Sequence, residues 1–525
     1  MRRLLPLLAL LAACAPKVTP TESWMEGQHE SALQQQKALA AEDTRERAMH
    51  HAKLASMALA QGDTELAEAS LRFAVVRMQD FQADGEFQAL IGAEDNKEWK
   101  GDPYEKVAAF FTLGLLLHQE GDRGNALAMY KSAIIADAGT ADERYRSDFV
   151  PAYVMQALAY QAERESSNAE QAMTRAVDAI YARTLTEMLA DGLNDIDTDE
   201  LGLDYEAAAM ARVILLSGIP AGVTVYARDP VEATRAAVSQ ATDIARVQYN
   251  LPRKDRSPEF KSLNDRNYEE ATAAMGALAE AWRASAEAIP ASTMSRLHDE
   301  GARLEGLLDD APNVILMVES GRGPRKIREG EYGEVLKIVP SRSPGREPAV
   351  SLRGTEEAPD TLVEGADPDG PMALAFPATQ ETTTRMDPVY LDSYTWQGTT
   401  RGSRAVDGFL EGKAVYKDAS FISGIVLDSM ADAARASGSD ELAAAMQIAS
   451  AVLLISGAVT NPSADIREWG LLPDSLFLVT ADLAPGEHEL NIGGRSYVLD
   501  VPATGQLVAV VPSLSPGGAT TITQR

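Results

Sequence analysis

Cysteine is nearly absent from this chain: Cys14 is the only one in 525 residues. No disulfide can form within the chain, so stability has to come from packing. Histidine is scarce as well, at His29, His50, His51, His118, His298 and His488. None of the six stands in a His-Glu-x-x-His spacing, and no Gly-x-Ser-x-Gly elbow occurs. His50 and His51 are neighbours on a helix and do not face each other. These absences speak against an enzyme, although a carboxylate pair for glycan hydrolysis has no short signature. Basic residues are outnumbered, 48 against 78 acidic ones, for a formal charge of −30. So negative a field disfavours nucleic acid and acidic lipid surfaces. It suits either solubility in a crowded compartment or the recruitment of basic partners or divalent cations. Long apolar runs are missing too. Leu4 to Leu11 is far short of the roughly 20 residues that a bilayer core requires, and Ala443 to Val459 is broken by Gln447, Ser450, Ser456 and Gly457. The second run reads as a buried helix.

What is present begins with the N-terminus. Arg2 and Arg3 precede the apolar run, and Leu11-Ala12-Ala13-Cys14 closes it. That layout is a secretory signal, and its ending resembles the lipobox of bacterial lipoproteins. The resemblance implies cleavage before Cys14, lipidation of its thiol, and acyl chains that fix the protein to a membrane. Ala15 in place of Asp implies the outer membrane, with the protein facing the periplasm. Residues 1–13 are then the signal peptide, and 14–21, with Pro16 and Pro20, a tether.

From about residue 22 to 310 the pattern is helix after helix, with apolar residues at helical spacing. Phe110, Phe111, Leu113, Gly114, Leu117, Gly121-Asp122, Ala126, Tyr130 and Ala133 resemble a tetratricopeptide repeat (TPR). Gly114 and Ala126 would let two helices approach, and Tyr130 would fill the groove to the next repeat. Gln61-Gly62-Asp63 with Ala67, Leu71 and Ala74 repeats the same offsets. Tyr153, Ala157, Tyr160, Ala169 and Ala176 form a weaker third copy without the turn glycine. Such arrays bury a shared core and offer a concave face to another protein. Phe110, Leu113, Gly114 and Tyr130 are the partner-binding candidates. The aromatics Trp24, Phe81, Phe87 and Trp99 would either line a groove or fill the core. A generic helical bundle is the plainer alternative. Helices are expected to continue from Pro230 to Tyr249 and from Asn267 to Leu308.

Asp195, Asp197 and Asp199 with Glu206 occupy positions one, three, five and twelve of a calcium-loop pattern. Glu200 stands where that loop requires glycine. The run reads as a Ca²⁺ site or as a solvated acidic connection. No other cofactor is expected.

From about residue 311 to 525 the texture changes. Val314 to Val318 reads as a buried strand, and Glu319 to Lys326 as a Gly-rich loop in which Pro324 and the missing P-loop Lys-Ser/Thr pair speak against a nucleotide. Further strands are expected near Val335–Val339, Met372–Phe376, Val389–Leu391, Ser475–Val479 and Leu507–Val511, with a helical stretch from Phe409 to Val459. Glu487–Ile492 and Arg495–Leu499 around Gly493-Gly494 form a hairpin. Asp465, Arg467 and Trp469 are read either as a recognition site or as an ion pair that shapes a turn.

Pro103-Tyr104-Glu105-Lys106, Gly321-Arg322-Gly323-Pro324-Arg325-Lys326, Gly412-Lys413, Asp465-Ile466-Arg467-Glu468-Trp469, Leu472-Pro473 and Pro485-Gly486-Glu487-His488 follow in one order. Together they resemble a family of bacterial repeat-bearing lipoproteins without an established activity. Its members are often encoded near lipoproteins linked to penicillin-binding-protein activation. The expected architecture is an α+β multidomain protein: an N-terminal all-α TPR-like repeat domain, then a mixed α+β domain with a β-hairpin near its end. The expected role is a lipid-anchored envelope scaffold that binds proteins in an envelope or cell-wall assembly. A glycan-binding or hydrolytic module in the C-terminal part is the alternative.

Overall fold

Helix gives way to strand almost where the change of texture lies. The computed structural model describes residues 18–79, 98–138, 148–253, 256, 260, 264–329, 335–357, 379–400, 464–513 and 520–523. Among them, helices run from Pro20 to Asp310, and strands from Val314 onward, with a further helix at Tyr394–Thr400. Cys14, Phe81, Phe87, Met372–Phe376 and Phe409–Val459 lie outside the described residues. The α+β multidomain character is plain, but the compact units do not follow the helix–strand boundary. One unit joins the residues up to Glu120 to those from Asn313 to Thr395 and to the last part of the chain; the other spans Gly121–Pro312 and takes up the segment after Thr395. The stretch 22–310, expected as one helical domain, is therefore shared between both units. A sheet has to bury its faces against something, and in the first unit the early helices belong to the same body as the strands.

In the first unit α1 (Pro20–Met25), α2 (His29–Ala41), α3 (Arg47–Ala60), α4 (Thr64–Gln79) and α5 (Pro103–Gln119) follow one another. Gly62, with φ +79°, makes the turn between α3 and α4, a left-handed position that favours glycine. The strands are β1 (Val314–Ser320), β2 (Arg325–Glu329), β3 (Val335–Val339), β4 (Val350–Glu357), β5 (Thr379–Met386), β6 (Val389–Ser393), β7 (Ser475–Ala481), β8 (Gly486–Ile492), β9 (Arg495–Val501), β10 (Leu507–Val511) and β11 (Thr520–Thr523). One sheet has the order β10-β1-β7-β6 and another the order β11-β9-β8-β4-β5, while β2 and β3 pair as a hairpin. Val314, Leu316 and Val318 on β1 share a core with Leu490 and Ile492 on β8 and with Tyr497 and Leu499 on β9. The two larger sheets thus pack face to face. Helix α5 lies against β10. Arg325 and Lys326, read as loop, open β2.

The second unit holds α6 (Arg123–Asp137), α7 (Val150–Ala162), α8 (Ser166–Asn194), α9 (Tyr205–Tyr226), α10 (Pro230–Asn250), α11 (Asp265–Glu287) and α12 (Ala291–Asp310). Asp204, Asp229 and Asn264 start α9, α10 and α11 by accepting backbone N–H groups on their side chains. The helical stretch expected from Asn267 to Leu308 is made of two helices, and Pro290, which supplies no N–H, stands between them. The turn between α7 and α8 lacks glycine, and Arg164 takes the left-handed conformation there at φ +62°. Helix α9 is long and apolar enough to cross a membrane by length and composition. Ile214, Leu215, Ile219 and Val223 carry it into the core with Trp282, whose indole N–H donates to the Leu189 carbonyl at 2.7 Å.

Candidate functional site

Three of the sequence islands meet around one ammonium group. Asp102 and Pro103 open α5, with Glu105 one turn on, so both carboxylates stand at the helix N-terminus, where the dipole favours negative charge. Glu105 accepts the Asp102 N–H at 2.8 Å. Lys326, on the inward side of β2, reaches Asp102 Oδ2 at 2.5 Å, Glu105 Oε2 at 2.6 Å and the Arg467 carbonyl at 2.9 Å. The other Glu105 oxygen accepts the Trp469 N–H at 2.7 Å. The Lys326 N–H donates to Glu468 at 2.7 Å. Arg467 is held by Asp465 through its Nε at 2.9 Å and Nη2 at 2.8 Å, and its carbonyl also accepts the Trp99 indole N–H at 3.2 Å. The ion-pair reading of Asp465 and Arg467 describes this turn.

Electrostatics make the cluster a clasp rather than a reactive centre. Burial works against the Lys326 charge, yet Asp102 and Glu105 hold its pKa above the ordinary lysine value. Its three ammonium protons have three acceptors, which leaves no lone pair for nucleophilic or base chemistry. Burial raises the Glu105 pKa, Lys326 lowers it and Asp102 raises it further, and both of its oxygens are engaged. Burial lowers Lys53, against the charges of Glu468, Glu105 and Glu46. Burial also opposes the Asp465 charge, but Arg467 brings that carboxyl below its usual value. The Gly-rich loop is equally occupied: Arg322 N–H donates to Ser343 at 2.9 Å and Gly323 N–H to Leu472 at 2.8 Å. A Cβ on Gly323 would stand 2.9 Å from the Pro473 carbonyl oxygen, which accounts for the glycine opposite Leu472-Pro473.

Trp469 joins the clasp to a cavity. Its indole donates to Ser56 at 2.9 Å and lines a small, partly open space with Trp24, Ser56, Thr112, Glu319 and Tyr394. Room for water centres amounts to about 20 Å³, somewhat more than the roughly 10 to 15 Å³ that a single water needs. Burial pushes the Glu319 carboxyl up to about 7, against one long hydrogen bond from Ser513 N–H at 3.4 Å. Burial, then the charges of Glu319 and Asp392, push the Tyr394 phenol well above its usual value.

This has a stability consequence with a definite sign. The folded state favours protonated Glu319, so that contribution is fully present below the ordinary carboxyl value of 4.5 and is lost as pH rises through about 7. Urea denaturation followed over this window should show the first unit losing about 2 to 3 kcal/mol. Glu319→Gln should remove most of that slope. An unchanged slope in the variant would contradict the assignment.

The second unit offers an open groove with about 520 Å³ of room. Gln161 on α7, Ser166, Ala169, Glu170, Met173 and Thr174 on α8, and Glu305, Leu308 and Asp309 on α12 line it. The Gln161 amide donates to the Leu308 carbonyl. Met173 and Ala169 are buried beneath polar walls.

No family model, curated protein or solved structure matches this chain.

The residues singled out from sequence fall elsewhere. Phe110, Leu113, Gly114 and Tyr130 are all buried, which puts them in packing rather than on an open groove. Trp24 and Trp99 are core residues too. Asp195, Asp197, Asp199 and Glu206 lie in and beside the connection between α8 and α9. Asp195 caps the end of α8, Asp197 accepts the Asp199 N–H at 2.9 Å, and Glu206 sits in the first turn of α9. Among the described residues no group of three or more His, Cys, Asp or Glu could hold a metal ion. Sequence reasoning named Lys326, Glu105 and Trp469 within motifs but did not bring them together. It passed over Glu319 and the Glu170–Glu305 groove.

Proposed function

We propose that this is a lipid-anchored cell-envelope protein that holds another protein through TPR-like helical repeats in the second unit. The observation that carries the proposal is the open groove of α7, α8 and α12. A folded enzyme usually encloses its substrate in a cleft of convergent polar groups, whereas this groove is open, helical and walled by mixed polar side chains. Helical arrays offer such surfaces to protein segments. Glu170, Glu305 and Asp309 favour a partner that presents lysine or arginine, consistent with the charge of the whole chain. The lipobox-like ending at Cys14 supports an anchor at the outer membrane, and the resemblance to repeat-bearing lipoproteins supports an envelope assembly.

Crosslinking in intact cells, followed by purification through a C-terminal tag, tests both parts. Wild-type protein should fractionate with membranes and retain a protein partner. Cys14→Ser should move it to the soluble fraction. Glu170→Lys combined with Glu305→Lys should lower partner recovery by about tenfold. Equal recovery by the charge-reversed protein would contradict the groove. Retained glycan without any protein would instead favour a glycan-binding C-terminal part.

A further inference from the structure

The cavity beside Trp469 has chemistry that the clasp does not use and that the groove of the second unit does not share. Its one acidic group, Glu319, ends β1 and is pushed up by burial. Among the described residues no cationic side chain stands against it as a counter-charge. Its walls include three aromatic side chains, Trp24, Tyr394 and Trp469, each nearly inaccessible to solvent. Aromatic faces attract cations through their quadrupole, most strongly when the site is dry. A carboxyl group that shares a cavity with two indoles and a phenol is therefore a receptor for positive charge.

Size and donor set narrow the class. Hard divalent cations take six or more oxygen ligands, whereas the side chains of this cavity offer one carboxylate and the hydroxyls of Ser56, Thr112 and Tyr394. Ser56 already accepts the Trp469 indole N–H. Sites for drug-sized ligands need about 300 Å³ or more, so the roughly 20 Å³ of room for water centres here excludes a sugar ring or a nucleotide. A single –NH₃⁺ head with a short carbon attached satisfies both limits.

We propose that this cavity binds a small primary ammonium group, with Glu319 as its counter-charge and Trp24, Tyr394 and Trp469 as its walls. As the cation enters, the Glu319 carboxyl releases its proton to solvent; the ammonium then donates to that carboxylate and to the Thr112 hydroxyl, and its carbon rests on the aromatic rings.

Methylammonium chloride is the probe, titrated into the full-length protein at constant ionic strength with sodium chloride as control. Calorimetry and tryptophan fluorescence should both give a saturable response to methylammonium and none to sodium. The melting temperature of the unmodified protein should rise with methylammonium alone. Glu319→Gln, close to isosteric, should weaken binding at least tenfold. The absence of any methylammonium-specific response in the unmodified protein would overturn the proposal, as would equal binding by Glu319→Gln. An equal response to tetramethylammonium, which is too large for the space, would also overturn it by marking binding elsewhere.

Discussion

Lys326→Met should destabilise the first unit by about 3 to 5 kcal/mol. The ammonium is the shared partner of Asp102, Glu105 and the Arg467 carbonyl, and its side chain is 2% exposed. Replacing it with an apolar group leaves two buried carboxylates at one helix start without their counter-charge. Breaking such a pair costs far more than the pair contributes over a well-packed apolar replacement. Adding Glu105→Gln to the variant should therefore recover part of the loss, because one uncompensated charge disappears with it. Equilibrium denaturation, followed by hydrogen exchange in α5 and β2, reads both effects. A loss below about 1 kcal/mol would place the cluster among ordinary surface ion pairs, and the clasp would be wrong. Two compact units make a single two-state fit unsafe, so local protection is the better readout.

Alanine substitution at helical glycines should have opposite signs at different sites. A Cβ on Gly218 would lie 1.9 Å from the Ala237 carbonyl oxygen, and one on Gly222 would lie 2.2 Å from that of Ala233. Both contacts are with backbone, which cannot rotate aside. Helices α9 and α10 approach this closely because glycine on one meets Ala233, Ala237 and Ala241 on the other. Gly218→Ala should force the helices apart and cost about 3 kcal/mol, the upper part of the usual range for overpacking. Gly222→Ala shares the same contact, so the two losses should not add. Gly276 and Gly306 lie in α11 and α12, and an added Cβ there meets nothing within 4 Å. Gly276→Ala and Gly306→Ala should each stabilise by about 0.5 to 1 kcal/mol. Four substitutions of one chemical kind thus separate a backbone contact from helix propensity. Protection of α9 amides falling in one pair and rising in the other is the expected pattern.

Local pattern revealed much of the fold. Val314 to Val318 is an unbroken apolar run because β1 is buried between β10 and β7. The Gly493-Gly494 turn marks its hairpin because both residues take positive φ. Val350–Glu357 and Thr379–Met386 are not among the expected strands, and β5 shows why: it is an edge strand rich in threonine, without an apolar alternation. The missing glycine between α7 and α8 left that helix pair weak in sequence; Arg164 makes the turn instead.

The clasp was visible only as separate words. Glu105 and Lys326 are 221 residues apart, and no periodicity connects a helix start to a strand at that distance. Pro103, Glu105 and Asp102 were legible as a helix opening. That the same carboxylates serve a lysine of β2 needs the fold. Leu113 and Tyr130 show the converse: repeat offsets name residues without saying which way they face, and both side chains are buried. The side chains that face the open groove, Glu170 and Thr174, lie at positions of α8 where sequence shows only ordinary helix-surface polarity.

Photocrosslinking in living cells bears most directly on partner binding. A photoreactive residue is placed at Thr174, inside the groove, and in a separate strain at Tyr205, which is 78% exposed at the start of α9. One discrete protein adduct from Thr174, absent from Tyr205 and lost on Glu305→Lys, is the expected result. Identical adducts from both positions, or none from Thr174 in cells that contain folded protein, would contradict a protein-binding groove.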